Sequence, residues 1–158
     1  SVSSRIRLYG GEITRFRDFL LEAERQNRNK LSEYQLRSLV SNFGSVLPEV
    51  LKYMDDSEFL DNNRDKNLRL LGAQIRYSIK NEMAKRLGDV VFRRTELGSA
   101  GHPGDAALEY CAQIMGRELQ WRQSRIDEEL TGVRKAFSRY PFESHEQHRE
   151  RVGDQALQ

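Results

Sequence analysis

The sequence is short of the residues that most often announce chemistry. It has one cysteine, Cys111, which excludes an internal disulfide and a cysteine-rich zinc site. A lone cysteine in a helical stretch reads as a small core residue. The three histidines, His102, His145 and His148, lack the companion ligands of a metal site. No GxGxxG, Walker loop or GxSxG occurs, and no Ser–His–Asp set can be assembled. No run approaches the roughly 18 apolar residues of a membrane span, and no signal peptide is expected. An excess of one charge is also missing: 26 basic and 24 acidic residues leave a net +2, too little for a nucleic-acid footprint.

What is present suits helices. Hydrophobic residues make up 37% and charged residues 32% of the 158, and three prolines and eleven glycines interrupt little. A chain of this length can bury a proper core. Ser1, standing where an initiator methionine would, predicts a fragment or a processed chain. A fragment need not contain its parent's active site.

"SVSSRIRLYGG" (1–11) has no helical period and predicts an extended linker, its glycine pair a plain turn rather than a phosphate cradle. The stretch 12–30 predicts a first helix with Phe16, Phe19, Leu20 and Ala23 on one face. In "LSEYQLRSLVSNFG" (31–44), Ser32 and Gln35 have the spacing of a capping box, and Leu31 and Leu36 that of a hydrophobic staple. Leu36, Leu39, Val40 and Phe43 form the buried stripe, and Gly44 offers a left-handed stop. Ser45 is placed to cap the next helix, 46–54, with Pro48 in its first turn. The acid-rich stretch 55–67 lacks the glycine and final glutamate of an EF-hand, so it reads as a solvated loop.

A long helical pattern runs from Leu68 to about Leu97, with a possible break near Gly88. "SAGHPGD" (99–105) reads as a turn containing an exposed His102. Residues 106–121 read as a helix with Leu108, Cys111, Ala112, Met115 and Leu119 inward. Residues 122–140 read as the last helix, on a stripe of Ile126, Leu130, Val133, Phe137 and Tyr140. The charged stretch after Pro141 is expected to fray. No strand alternation occurs. The expectation is an all-α fold: a single helical domain, 12–141, of about six or seven helices, between a linker (1–11) and a tail (142–158).

The stretch "NEMAKRLGDVVFRRTELG" (81–98) poses the main question. On a helical wheel at ~100° per residue, Ile75, Ile79, Met83, Val90 and Leu97 share a sector with Arg86, Arg93 and Arg94. Glu82 lies four residues before Arg86 and Asp89 four before Arg93, the favourable order for helix ion pairs. A continuous helix would bury at least one arginine. Either an internal salt-bridge network fixes helix packing, or the arginines form a docking site for an anionic surface. A bend at Gly88 would redirect them.

These residues carry a resemblance. The chain resembles the C-terminal helical (cap) domain of FAD-dependent, quinone-linked glycerol-3-phosphate dehydrogenases. The block "IRYSIKNEMAKRLGDVVFRRTELG" (75–98) is similar to the family's order of a tyrosine, Glu-Met-Ala, an Asp and then Arg-Arg-Thr. "LYGG" (8–11) is similar to the family's "LPGG", with Tyr9 in place of proline. "NFG" (42–44) resembles the end of an early cap helix, and "ELQW" (118–121), followed by Arg125 and Glu129, resembles the closing helices. The likeness covers about residues 6 to 140.

The resemblance implies a parent that oxidises sn-glycerol 3-phosphate to dihydroxyacetone phosphate, passing hydride to flavin N5 and electrons to quinone. The flavin fold would lie upstream, so this chain would hold no FAD, no metal and no catalytic residue. Glu82, Asp89, Arg93, Arg94 and Thr95 would be family-signature residues with architectural roles. The implied partners are the parent's own flavin domain and, through the face it would cover, a second copy of the chain. The implied location is cytoplasmic, the parent peripheral at the inner face of the membrane. The alternative is a free-standing helical interaction module whose arginine cluster receives an acidic partner. These readings differ on Arg93→Ala and Arg94→Ala: the first expects a large stability loss, the second lost binding with stability intact.

Overall fold

The computed structural model describes residues 13–54 and 65–139. Among them every regular element is helical and no strand occurs, so the fold is all-α. The linker at 1–11, the acid-rich residues 55–64 and the tail 142–158 lie outside the described residues. The chain packs as two compact units that meet in sequence between Glu82 and Met83.

Among the described residues the first unit holds four α-helices. α1 (Phe16–Asn27) buries Leu20 and Ala23. Phe19 packs on the same core, but Phe16 stays 46% exposed, because the helix begins there and its first turn lies beyond the core. α2 (Glu33–Phe43) starts on the capping box its sequence predicts. The Ser32 hydroxyl accepts from the Gln35 N–H at 3.3 Å, and the Gln35 side-chain oxygen accepts from the Ser32 N–H at 2.9 Å. Two otherwise orphaned donors are thereby satisfied. Leu36, Leu39, Val40 and Phe43 are buried, as their spacing requires.

Gly44 then takes φ 54°, a left-handed value that glycine adopts at little cost, and its N–H donates to the Val40 carbonyl. A short 3-10 turn (Gly44–Val46) leads into α3 (Leu47–Lys52), with Pro48 in its first turn. Val46, not Ser45, occupies the cap position, and no side chain caps α3. The 3-10 turn supplies backbone bonds in place of a hydroxyl: the Leu47 N–H donates to the Gly44 carbonyl.

α4 (Lys66–Asn81) is capped by Asp65, whose carboxylate accepts from the Asn67 N–H at 2.8 Å. Its Leu70 and Tyr77 join the core formed by α1, α2 and α3. The Tyr77 ring meets Phe43 edge-on at 5.7 Å and Tyr53 at 6.5 Å. Arg76 is only 6% exposed and donates to the Tyr53 carbonyl at 3.1 Å, while Arg69 donates to the Met54 carbonyl at 2.9 Å. Two guanidinium groups thus satisfy carbonyls at the C-terminal end of α3, where a helix favours positive charge.

The second unit is built on α6 (Asp105–Leu119) and α7 (Gln123–Arg139), joined by a tight connection in which Gln120 takes φ 55°. Leu108, Cys111, Ala112 and Met115 of α6 and Leu130 and Val133 of α7 are buried; Leu119, Ile126 and Phe137 of the expected stripes are only half-buried, and Tyr140 lies outside the described residues. Arg134 of α7 reaches Asp105 at 2.7 Å and Glu109 at 3.1 Å on α6. The exposed turn histidine, His102, accepts at Nδ1 from the Gly104 N–H and lies 4.9 Å from the Phe137 ring.

Two outcomes are expected. Ser32→Ala lowers stability by about 1 kcal/mol in urea unfolding, whereas Ser32→Asp retains the cap. Burial pushes the Cys111 thiol up from 9.0 to about 12. The unfolded thiol therefore ionises first, and this contribution to stability is intact below pH 9.0 and lost as the pH rises toward 12. A disulfide thiol reagent at mildly alkaline pH should leave the native thiol untouched and titrate one equivalent in urea. Rapid labelling of the native chain would contradict this.

Candidate functional site

The arginine-bearing stretch is not one helix. α4 ends at Asn81, and Glu82, at φ −123°, is its C-cap. Met83 takes φ 59°, a left-handed value for a residue with a Cβ, and is 80% exposed. Residues 84–86 run without helical bonds, and a single turn, α5 (Leu87–Asp89), follows. The break therefore falls at 82–86, not at Gly88, which sits inside the turn. The wheel over 75–97 fails because its premise, one continuous helix, fails.

The break has a physical cause. Three consecutive backbone N–H groups would be orphaned by leaving the helix, and each finds a carboxylate. The Asp89 Oδ2 accepts from the N–H of Lys85 at 3.1 Å and of Arg86 at 3.0 Å. Glu129 of α7 accepts from the Leu87 N–H at 2.9 Å through Oε2. Its other oxygen pairs with Arg125, one turn earlier on the same helix. The Glu129 side chain is only 10% exposed. A buried carboxylate with both oxygens engaged is satisfied, and removing it would strand a backbone donor and a cation.

After α5 the chain continues as a π-helical turn, Val90–Arg94. The Val90 carbonyl accepts from both the Thr95 N–H at 3.1 Å and the Thr95 hydroxyl at 2.8 Å. The Thr95 hydroxyl in turn accepts from the Leu97 N–H at 3.3 Å. Gly98 donates to the Val91 carbonyl at 3.0 Å, and a Cβ there would stand 2.8 Å from that oxygen, so only glycine fits. Ala84, Leu87, Val90 and Val91 point into the core while Arg86, Arg93 and Arg94 face outward.

Each of the expected signature residues has a definite place. Glu82 ends α4, Asp89 ties the break together, and Thr95 closes the π turn. Arg93 lies four residues after Asp89 and pairs with it at 3.2 Å as its spacing predicts, yet its side chain is 75% exposed. Arg94 is exposed as well. None of the three arginines is buried, and the internal network expected around them is replaced by carboxylates bound to backbone. Among the described residues the buried arginine is Arg76, in the first unit. Its only sequence signal was its place among the apolar residues of α4.

An open groove of about 760 Å³ lies beside α5 and α7. Arg86, Arg93 and Arg125 line it, as does Lys85, which the sequence reading passed over. Among the described residues no group of three or more His, Cys, Asp or Glu could hold a metal ion, and no helix is long and apolar enough to cross a membrane.

The geometry defines an all-α domain in which Asp89 of the most specific motif and Glu129 of α7 serve the backbone. The chain belongs to the family of the C-terminal domain of alpha-glycerophosphate oxidase, whose model matches residues 1–126. No curated protein and no solved structure matches it. The family is one of flavin-dependent oxidases.

Replacement of Asp89 by Ala should cost about 2 kcal/mol and of Glu129 by Ala about 2–3 kcal/mol in urea unfolding. Arg93→Ala should stay within about 0.5 kcal/mol, not the large loss expected of a buried arginine, because its side chain is 75% exposed. The assignment of roles is wrong if Arg93→Ala proves the most damaging of the three.

Proposed function

We propose that the chain is the non-catalytic C-terminal cap and packing domain of an FAD-dependent enzyme that oxidises sn-glycerol 3-phosphate to dihydroxyacetone phosphate. The observation that carries this is the family match over residues 1–126, which contains the whole signature block from Glu82 to Thr95. The roles of the block support it: Asp89 and Thr95 hold backbone, and the one buried thiol is shifted away from reactivity.

The residues of this chain do not fit a flavin. The sequence has no GxGxxG, and the groove beside α5 mixes cations with carboxylates rather than offering an apolar wall for a ring system. FAD therefore belongs to the parent's flavin domain on this reading, and that domain is the chain's principal partner. Phe16 and Leu21, 46% and 45% exposed on α1, offer apolar surface for such a partner or for a second copy. We place the parent in the cytoplasm, peripheral to the inner face of the membrane, where a quinone can take its electrons.

The test compares two polypeptides: one carrying a flavin domain joined to these residues, and the present chain alone. Each is measured for bound flavin absorbance and for glycerol 3-phosphate-dependent reduction of a soluble quinone. Flavin and turnover are expected only in the first. Turnover absent from the flavin-loaded polypeptide, or flavin retained by the present chain, overturns the reading.

A further inference from the structure

We propose that the groove beside α5 and α7 docks an acidic segment of polypeptide, held by Lys85 and Arg86. Three separate observations converge on it. The first is charge that is not compensated. Arg93 is paired with Asp89, and Arg125 with Glu128 and Glu129. Lys85 and Arg86 contribute their backbone N–H groups to Asp89, but their side chains hold no partner among the described residues. Both line the groove. A carboxylate arriving there finds two free cations, one of them a planar donor fork suited to it.

The second observation is backbone conformation. Met83 is held at φ 59° and Val90–Arg94 in a π turn, and both flank the residues that present the cations. Such conformations cost free energy and collect where a site needs them. The third is exposed apolar surface in the groove itself: Phe92 is 44% exposed. Phe92 lines the groove and packs on Phe137 at 4.9 Å, so it is a rigid apolar wall.

These features select polypeptide over other anions. Asp89, Glu128 and Glu129 also line the groove, but each is already paired with Arg93 or Arg125, which leaves Lys85 and Arg86 as its uncompensated charge among the described residues. A peptide that alternates acidic with apolar side chains meets both those cations and the Phe92 wall, which a phosphate or a nucleic-acid backbone does not. A groove of about 760 Å³ is also far larger than one phosphate needs. The inference does not depend on which substrate the parent oxidises.

The test uses the full chain and a fluorescent octapeptide of alternating Glu and Leu, followed by anisotropy. Binding should weaken with added salt. K85E/R86E should weaken it about tenfold or more, and Arg37→Glu, an exposed cation of the other unit, should leave it unchanged. Should the double reversal fail to fold, Arg86→Gln and Lys85→Gln serve, each expected to weaken binding several-fold. Peptide binding unaffected by these variants overturns the proposal. So does inorganic phosphate, or vesicles of phosphatidylglycerol, binding with the same dependence on Lys85 and Arg86 while the peptide does not.

Discussion

The N–H groups of Lys85, Arg86 and Leu87 end on two carboxylates, and the second unit takes its form from that fact. A chain leaving a helix exposes donors that burial would leave unmet, each costing about 1–3 kcal/mol. Asp89 meets two of them from within the same turn. Glu129 meets the third from 42 residues away, and so fixes where α7 lies against α5. One residue acts locally and the other sets tertiary placement, and the single turn between them would not hold without both.

The break also resolves a conflict in the side chains. A continuous helix from 68 to 97 would place arginines on the same face as Ile75, Ile79 and Val90. Burying an unpaired guanidinium costs far more than interrupting backbone bonds that carboxylates can replace. The interruption sends Ala84, Leu87, Val90 and Val91 inward and turns the arginines to solvent. The π turn completes this rotation, and Thr95 and Gly98 close it: the first by a hydroxyl on the Val90 carbonyl, the second by lacking a Cβ.

Much of the fold was legible because its signals are local. The capping box of α2 needs only Ser32 and Gln35, and the stripes of α2, α6 and α7 are read within one helix each. The Asp89–Arg93 pair was legible for the same reason, since a four-residue spacing survives in a short helical turn. A break was expected near Gly88, but its true place at 82–86 was not legible, because one of the carboxylates that makes it possible, Glu129, lies on a distant helix. Arg76 escaped for a related reason. Its burial depends on the carbonyl of Tyr53, at the end of a helix that no window around residue 76 contains.

The family's most specific block therefore combines two kinds of residue. Asp89 and Thr95 are fixed by backbone geometry, and substitutions there act on folding. Arg86, Arg93 and Arg94 are released from the core by that same geometry, so folding places little demand on what they touch. A motif of charged residues in fixed order looks like a catalytic site when it is read as one helix. In three dimensions its Asp89, with Glu129 of α7, holds the turn, and its bases are what the turn presents. Any role for the arginines in binding thus depends on Asp89 and Glu129, which set where the cations stand.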